Sequence, residues 1–594
     1  MSIVRNYTNN PEVAQMVGRF FKNGSSLLYG KQANILSAAT VIMVMIAVSR
    51  LLGLLRNRTF VHFFPPEELD TFFAAFQLPD LIFEILVLGA MSSAFIPVFS
   101  SLLGRGKEKE AWRVAGITLN LLFLFFLVLA VLIFSFANPI YTLVAQGFSP
   151  EKIEQTVAFA RILIFGQLFF VASYLLTGTL ESNQRFLAPA SAPLFYNLSI
   201  IISTILFAPT LGLYAPIWGA VAGSALHLLV QLPLALKLGF RPIWSLDISN
   251  PGVRAIGKLA LPRIFELSFF QLKNFTDLFL ASLVVGGLTY FKFGNALAAL
   301  PIGLFGLSIA KASFPQLSKQ AAKQDMQSFK FTFASSFKEI LFLVVPASIF
   351  LAVLRIPAVR LAFGGEQFGW EDTVQTGYVL SAFAVGIFAY SVALLVSRAF
   401  YSLHDTKTPV KISILTIFLN VGLALLLIMV LKLPIWGLAL AYAIAGIVQI
   451  IIIFTLLSKK VGGFPGLGLG KAFTKILVAG GVAGSVMFFL LKILDRSVWD
   501  KNLSFLAHLG IGLPITFDKF VLDTRYTTNL IFLTAVVAAI GFVIYVFIAY
   551  LLRVEELSII SRALRKISRG KIRIFRKLDG KDGEPIAPHH TNGT

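Results

Sequence analysis

Cysteine is absent from this 594-residue chain, and acidic residues are scarce, with 29 Asp and Glu against 51 Lys and Arg. The lack of cysteine excludes disulfides, thiolate metal sites and iron–sulfur clusters. Charged residues make up only 13% of the chain, about half the share found in soluble domains. Because hydrophobic residues reach 57% and the mean hydropathy is +0.81, the composition predicts a protein that crosses the membrane many times.

Catalytic and metal-binding patterns are also lacking. The stretch GLGLGKA resembles a phosphate-binding loop, but Pro465 and Ala472 stand where that pattern requires Gly and Ser or Thr. The six histidines have no metal-ligand spacing. We therefore expect no ATP hydrolysis, no metal site, no catalytic residues and no cofactor.

Apolar stretches long enough to span a membrane, about 20 residues each, occur fourteen times. They begin near residues 36, 70, 113, 156, 190, 216, 256, 289, 331, 374, 410, 434, 472 and 528. The fold class expected is an all-α polytopic membrane protein. Alternate loops carry Lys107, Lys323 and Lys407, whereas the loops between them carry Glu151 and Glu371. The positive-inside rule then predicts that both termini are cytoplasmic. The first run is itself a span, so no cleavable signal peptide is expected.

The tetrapeptide PIWG occurs at residues 216–219 and again at 434–437, an offset of 218 residues. We therefore read residues 36–240 (the N-lobe) and 253–458 (the C-lobe) as two copies of one six-helix unit. Six is even, so both copies enter the membrane in the same direction and form a parallel repeat. Two such lobes face each other across a central cavity in many transporters. Further pairs share this offset, the last with a two-residue slip: Asp70 and Leu288, Pro97 and Pro315, Gly147 and Gly365, Gln231 and Gln449, Pro189 and Pro409.

Three segments lie outside the repeat. Residues 1–35 form a cytoplasmic N-terminal segment, and residues 472–552 hold helices thirteen and fourteen with an outer loop at 495–527. The two extra helices either line a groove for a long apolar ligand or simply face lipid. Residues 553–594 form a basic cytoplasmic tail, which is either a contact for anionic lipid or a disordered end.

Two arginines lie within the first predicted span, in the stretch AVSRLLGLLRNRTF. Arg50 and Arg56 have Gly53 midway between them, so the three positions follow one stripe of a helix. Guanidinium groups form paired hydrogen bonds with phosphate and carboxylate oxygens. Because charges inside the membrane are expensive and mark functional sites by default, the stripe predicts an anion site. The alternative is that these side chains extend to the membrane surface from the helix end.

The seventh predicted span carries four charged residues on one face. Arg263, Glu266, Lys273 and Asp277 fall within an arc of about 80° at helical spacing. Such a face requires a cavity or a neighbouring helix. The alternative is two self-satisfied pairs, Arg263 with Glu266 and Lys273 with Asp277. Further charges within predicted spans are Glu84, Lys292 and Lys311.

The chain resembles a known family in five stretches: SRLLGLLRNRTF, DTFFAAFQLPDLI, GAMSSAFIPVFSS, NQRFLAPASAPLFYN and SRAFYSLHDTKTPVKIS. They resemble the MurJ (MviN) family of lipid II flippases, in the wider superfamily of multidrug and oligosaccharidyl-lipid exporters. The resemblance covers roughly residues 36–550 and implies fourteen spans. It also implies the substrate, an undecaprenyl-diphosphate carrying the peptidoglycan precursor, moved to the outer leaflet of the cytoplasmic membrane. Implied partners are membrane lipids and the cell-wall synthesis machinery, with no nucleic acid.

The family's functional positions carry over unevenly. Arg50, Arg56 and Asp70 match positions tied to function in the family. Family arginines in spans two and eight are missing, with Phe83 and Glu84 in span two and Ala296 in span eight. Lys292 or Lys311 is the candidate to replace that charge. The resulting set expected at the diphosphate and headgroup is Arg50, Arg56, Asp70, Arg263, Lys292 and Lys311.

The resemblance also implies a coupling cation in some relatives. The matching acidic position is Asp277, which Asn420 of span eleven is expected to join. Coupling to a monovalent cation or to the membrane potential follows as an expectation, and no metal cofactor is expected.

The sequence as a whole predicts a lipid II flippase that works by alternating access and is not an enzyme. A flippase for another polyprenyl-diphosphate-linked oligosaccharide is the alternative within transport. A membrane-embedded glycosyltransferase is the alternative from another class, and it requires acidic catalytic residues at a membrane face. Asp518 and Asp523 in the outer loop are the only acidic cluster of that kind, and their spacing matches no known site.

Overall fold

The computed structural model describes residues 35–84, 94–495, 522–524 and 526–558. Within these ranges the chain is helical, with two isolated β-bridges and no β-strand. This confirms the all-α fold class. Most of the predicted N-terminal segment, outer loop and basic tail lie outside these residues.

The N-lobe holds eight of the described helices. They are α1 (Ile35–Phe63), α2 (Pro66–Ala75), α3 (Gln77–Phe83), α4 (Ile96–Gly104), α5 (Glu108–Val144), α6 (Pro150–Ser182), α7 (Leu187–Leu211) and α8 (Tyr214–Lys237). Small residues let neighbouring helices approach closely, as is usual in membrane bundles. A Cβ added to Gly219 of α8 would lie 2.7 Å from Cβ of Ser203 on α7.

The remaining described helices follow the linker after α8. They are α9 (Pro251–Ser282), α10 (Gly287–Pro301), α11 (Ser308–Ala322), α12 (Met326–Val353), α13 (Arg355–Phe363), α14 (Trp370–Ala384), α15 (Ile387–Ser402), α16 (Lys407–Leu425), α17 (Trp436–Val461), α18 (Leu469–Leu494) and α19 (Thr527–Leu551). A π-helical turn, Ile302–Leu307, joins α10 to α11. A second one, Leu426–Val430, follows α16. Such wide turns are frequent at functional positions of helices.

Ten stretches in the described part of the chain are long and apolar enough to cross a membrane, or eleven if α14 and α15, bent by 41°, form one span. The α10–α11 pair counts as one of the ten. The other three predicted spans coincide with α1, with the broken segment α2 to α4, and with the charged helix α9. The count of fourteen stays a prediction.

The PIWG tetrapeptides lie at the start of a helix in both lobes. Pro216 is in the first turn of α8, and α17 begins at Trp436. These positions suit proline, which is well tolerated where the first N–H groups have no helical partner, and the structural interpretation of the motif stays a prediction. Trp218 is half exposed on the outside of the bundle.

Left-handed backbone positions recur at the offsets of the sequence repeat. Gly106 and Gln324, 218 residues apart, have φ of 73° and 57°. Gln184 and His404, 220 residues apart, have φ of 59° and 57°. In each pair, the two residues lie just after the C-terminal ends of helices that are equivalent in the two predicted six-helix units. These matches favour the repeat, which remains a prediction of the sequence.

The DTKTPVK stretch, the most family-specific part of the sequence, forms a cap between two helices. Asp405 accepts hydrogen bonds from the Thr408 backbone N–H at 3.0 Å, from the Thr408 hydroxyl at 2.9 Å and from Lys460 Nζ at 2.6 Å. The first bond satisfies one free N–H group at the N-terminus of α16, the second fixes the Thr408 side chain, and the third ties Asp405 to the end of α17. The Lys460 and Thr408 bonds lower the pKa of Asp405 to about 2. This motif is therefore structural.

Candidate functional site

A cavity of about 490 Å³ lies between the two lobes. Its walls come from α1, α6, α7 and α8 of the N-lobe, and Ala296 and Leu300 of α10 close it from the C-lobe. All of the polar lining residues belong to the N-lobe, which also contributes apolar ones, whereas both C-lobe lining residues are apolar. Polar lining residues are Ser49, Arg50, Arg56, Asn57, Tyr174, Thr177, Glu181, Asn197 and His227.

Arg56 is held in the cavity wall by neutral groups. Its Nη1 donates to Asn197 Oδ1 at 3.3 Å, and its Nη2 donates to Asn57 Oδ1 at 3.2 Å. The guanidinium also lies 5.7 Å from the centroid of the Phe60 ring. Because amides and a ring carry no net charge, the positive charge of Arg56 is oriented but not neutralised. That arrangement suits an anionic ligand.

Arg50 lines the same cavity six residues earlier on α1. Its side chain is exposed, and no partner for it is found among the described residues. A Cβ added to the neighbouring Gly53 would meet nothing within 4 Å. The glycine thus leaves open space in the cavity rather than permitting a close helix contact. The predicted Arg50–Arg56 stripe does face one cavity.

A buried polar network stiffens the N-lobe wall. The Ser173 hydroxyl lies 2.7 Å from His227 Nδ1 and accepts from Gln231 Nε2 at 2.8 Å. Thr177 Oγ1 donates to Gln231 Oε1 at 2.8 Å, and the His227 ring stacks on Tyr174 with centroids 5.3 Å apart. Sequence reasoning treated the histidines only as metal ligands and missed this network. Polar residues inside apolar spans were the available signal.

Asp70 lies outside the cavity, at the contact between the lobes. Its side chain is 1% exposed. Asp70 Oδ1 accepts hydrogen bonds from the backbone N–H and the hydroxyl of Thr289, both at 2.8 Å. The carboxylate thus binds the first turn of α10, where the helix dipole favours a negative charge. In this conformation Asp70 joins the lobes.

The structure scatters the remaining predicted headgroup residues. Lys292 on α10 and Lys311 on α11 are exposed, and neither lines the cavity. Lys292 is instead within electrostatic range of Asp80 and Glu84 of the N-lobe. Arg263 is on α9, and its side chain lies outside the described residues.

The predicted cation-site residues, Asp277 and Asn420, make no hydrogen bond to each other. Asp277 forms an ion pair with Lys273, which confirms that alternative from the sequence. Asn420 is 3% exposed on α16, and neither atom of its amide has a hydrogen-bond partner in the described part of the chain. Glu84, which replaces a family arginine, accepts a hydrogen bond from Gln271 of α9. The Arg263–Glu266 pair lies outside the described side chains.

A family model described as lipid II flippase MurJ matches residues 62–509 of the chain. The chain belongs to the MurJ family. Among its MurJ relatives, a probable lipid II flippase of Bdellovibrio bacteriovorus is 28% identical over 448 residues, which cover 74% of this chain and 84% of the relative. A probable lipid II flippase of Borreliella burgdorferi is 25% identical over 489 residues, 80% of this chain and 94% of the relative.

Solved structures agree with the assignment to MurJ. A lipid II flippase MurJ in an inward closed conformation superposes with a TM-score of 0.69 at 25% identity, covering 86% of this chain and 99% of that one. A multidrug MATE transporter in an inward-facing conformation gives a TM-score of 0.58 at 17% identity, covering 72% of this chain and 99% of the other, which shows the fold alone. MurJ proteins are flippases, so the chain is a transporter and not an enzyme. The prediction of the family is confirmed.

Proposed function

We propose that this chain is a flippase for lipid II, the lipid-linked precursor of peptidoglycan. The observation that carries the proposal is the MurJ family match over residues 62–509, joined to a cavity between the lobes that holds Arg50 and Arg56. The site lies in the cytoplasmic membrane, where such precursors are made and moved. Interaction with the cell-wall synthesis machinery is part of the same proposal.

The two arginines suit the diphosphate of the substrate. A diphosphate carries about two negative charges, and burying it in a bundle requires compensating cations. Arg56 is already oriented by Asn57 and Asn197, and the Arg50 side chain is exposed, with no partner among the residues that the structure describes. Two guanidinium forks supply both the charge and the hydrogen-bond donors that phosphate oxygens require.

Alternating access is supported by an asymmetry between the two ends of the molecule. At the end that holds the loops 145–149 and 364–369 (the acidic-loop end), the lobes are joined by Asp70 and Thr289. The Arg50–Arg56 cavity lies toward the opposite end, beside Glu181 and Phe186. We infer a conformation closed at the acidic-loop end, with the site reached from the basic-loop end.

A reciprocal pair of glycine contacts supports this closure. Gly147 donates its N–H to Ser282 Oγ at 3.2 Å, and an added Cβ would overlap the Ser282 carbonyl. At the equivalent C-lobe position, an added Cβ on Gly365 would lie 2.7 Å from the carbonyl oxygen of Val61. Each lobe thus sets one glycine against the first helix of the other lobe. Opening this end must break both contacts.

Complementation tests the function directly. A strain depleted of its own lipid II flippase should regain growth when this chain is supplied, and purified protein should move labelled lipid II between leaflets of proteoliposomes. Transport of a different polyprenyl-diphosphate oligosaccharide, without lipid II transport, would favour the alternative substrate. Failure in both assays by well-folded protein would contradict the proposal.

Orientation is tested with single cysteines, since the chain has none of its own. With both termini cytoplasmic, cysteines at Glu151 and Glu371 should react with an impermeant thiol reagent in intact cells. Cysteines at Lys107, Lys323 and Lys407 should be protected. Labelling of this second set from outside would reverse the orientation and the direction of transport.

A further inference from the structure

Lys273 and Asp277 form a charged cluster in the C-lobe, away from the arginine cavity. They stand one turn apart on α9, and their side chains are 18% and 10% exposed. Lys273 Nζ lies 5.2 Å from the ring centroid of Tyr442 on α17 and 6.0 Å from that of Phe291 on α10. Tyr442 in turn stacks on Tyr390, with centroids 4.2 Å apart. Groups from three helices therefore enclose the ammonium.

These surroundings are those of a cation site. A carboxylate buried in a helix bundle costs several kcal/mol unless a cation lies beside it. The faces of aromatic rings also attract cations. Asp277 with the Tyr442 and Phe291 rings thus provides one full negative charge and two ring faces around a single position. That position is filled by the ammonium of Lys273, which is part of the chain.

The ammonium of Lys273 competes with dissolved cations for Asp277, and it is favoured because it is covalently attached to the chain. Attachment to the same helix gives Lys273 a high effective concentration at Asp277, so a dissolved cation must displace a partner that never leaves.

A second lysine lies near this pair. Lys292 of α10 is within electrostatic range of Asp277 and Lys273, and also of Asp80 and Glu84 of the N-lobe. Of the two ammonium groups, that of Lys273 forms the ion pair with Asp277.

We propose that Lys273 is the resident counter-cation of Asp277, and that transport by this chain needs no dissolved alkali cation at that carboxylate. The inference rests on the proposed transport function but not on the identity of the lipid. The side chain at position 273 then determines whether a dissolved cation can bind beside Asp277. Its removal should turn a self-contained ion pair into a site for a dissolved ion.

Thermal unfolding of the purified full-length protein tests this without any substrate. The probes are sodium, lithium and potassium chloride, each compared with choline chloride at equal ionic strength. The unfolding temperature of the wild type should be the same in all four salts. In K273M, sodium or lithium should give a saturable rise of a few degrees, because an ion that binds only the folded state stabilises it. The double variant K273M/D277N should lose that rise.

A saturable sodium or lithium effect on the wild type would overturn the proposal, and so would a well-folded K273M that responds to none of the salts. If K273M does not fold, K273R takes its place, because arginine keeps the charge. K273R should behave as the wild type does, and a sodium effect on it would count against the proposal. None of these outcomes depends on lipid II, so a failed flipping assay remains a separate result.

Discussion

The N-lobe and the C-lobe handle their buried charges in opposite ways. In the N-lobe, Arg56 is oriented by two amides, and Arg50 faces the cavity without a partner among the described residues. In the C-lobe, Lys273 is neutralised by Asp277 on its own helix. In two units of the same predicted architecture, one wall thus carries two arginines and one acidic residue, Glu181, whereas the other pairs its charge on a single helix.

This difference assigns the anionic headgroup to one side of the molecule. Free guanidinium groups attract a diphosphate, whereas a satisfied ion pair does not. The C-lobe side of the cavity contributes only Ala296 and Leu300. We therefore propose that the N-lobe binds the headgroup and that the C-lobe moves against it.

The largest expected effect comes from removing the unpaired N-lobe charge. R50A should abolish complementation at normal expression, and R50K should restore it only in part, because lysine keeps the charge but loses the fork. A hydrogen bond to a charged group is worth about 1.5–3 kcal/mol, so the flipping rate in proteoliposomes should fall by about 10- to 100-fold. R105A is the matched control, since Arg105 is exposed outside the cavity. A fully active R50A would remove Arg50 from the site.

The next effect concerns the contact that joins the lobes. D70A should leave the buried Thr289 N–H without its acceptor, which costs about 1–3 kcal/mol in the closed state, while the Thr289 hydroxyl keeps the Pro66 carbonyl as an acceptor. The equilibrium should shift toward opening at the acidic-loop end. A cysteine in place of Val61, which is fully buried there, reports the shift as faster labelling in D70A than in the parent. Equal labelling would show that Asp70 does not hold this end closed.

The paired glycines Gly147 and Gly365 allow closure at the acidic-loop end to be tested from each lobe in turn. G147A and G365A should each disfavour closure by about 1–3 kcal/mol, the usual effect of an extra methyl in a packed contact. G147A is expected to be the more disruptive, because its added Cβ would overlap a carbonyl oxygen. G104A is the control, since a Cβ there meets nothing within 4 Å. G147A can be read with the V61C reporter, and G365A, which contacts Val61 itself, with a cysteine in place of Ser282. Labelling that is unchanged in both would contradict the closure.

The smallest effect is a pH dependence at Asp405. Its pKa is lowered to about 2 by Lys460 and Thr408, so it stabilises the fold above its usual pKa of about 4. That stabilisation is lost as the pH falls from about 4 through about 2. The difference in unfolding temperature between the wild type and D405N should be constant from pH 5 to pH 8 and shrink below pH 4. A difference that persists at the lowest pH would show that the cap does not depend on the charge.

The arginine stripe shows how far local reasoning reaches. Arg50 and Arg56 were predicted to face an anion site because helix geometry alone places them on one face of α1. Both arginines do line one cavity. Asn57, Asn197 and His227 also line it, and the sequence did not predict them. Those three residues are on different helices, and only packing brings α7 and α8 against α1 and α6.

Composition and periodicity by themselves determined the membrane class and the all-α fold, because hydrophobicity and helical spacing are local properties of the chain. They also supplied the pairing of Lys273 with Asp277, which lies within one helical turn. Only the tertiary structure decided that Asp70 binds Thr289 across the lobes, and that Glu84 bonds Gln271 rather than a lysine. Those contacts join residues 219 and 187 positions apart. Their partners are chosen by how the lobes dock, which no local pattern encodes.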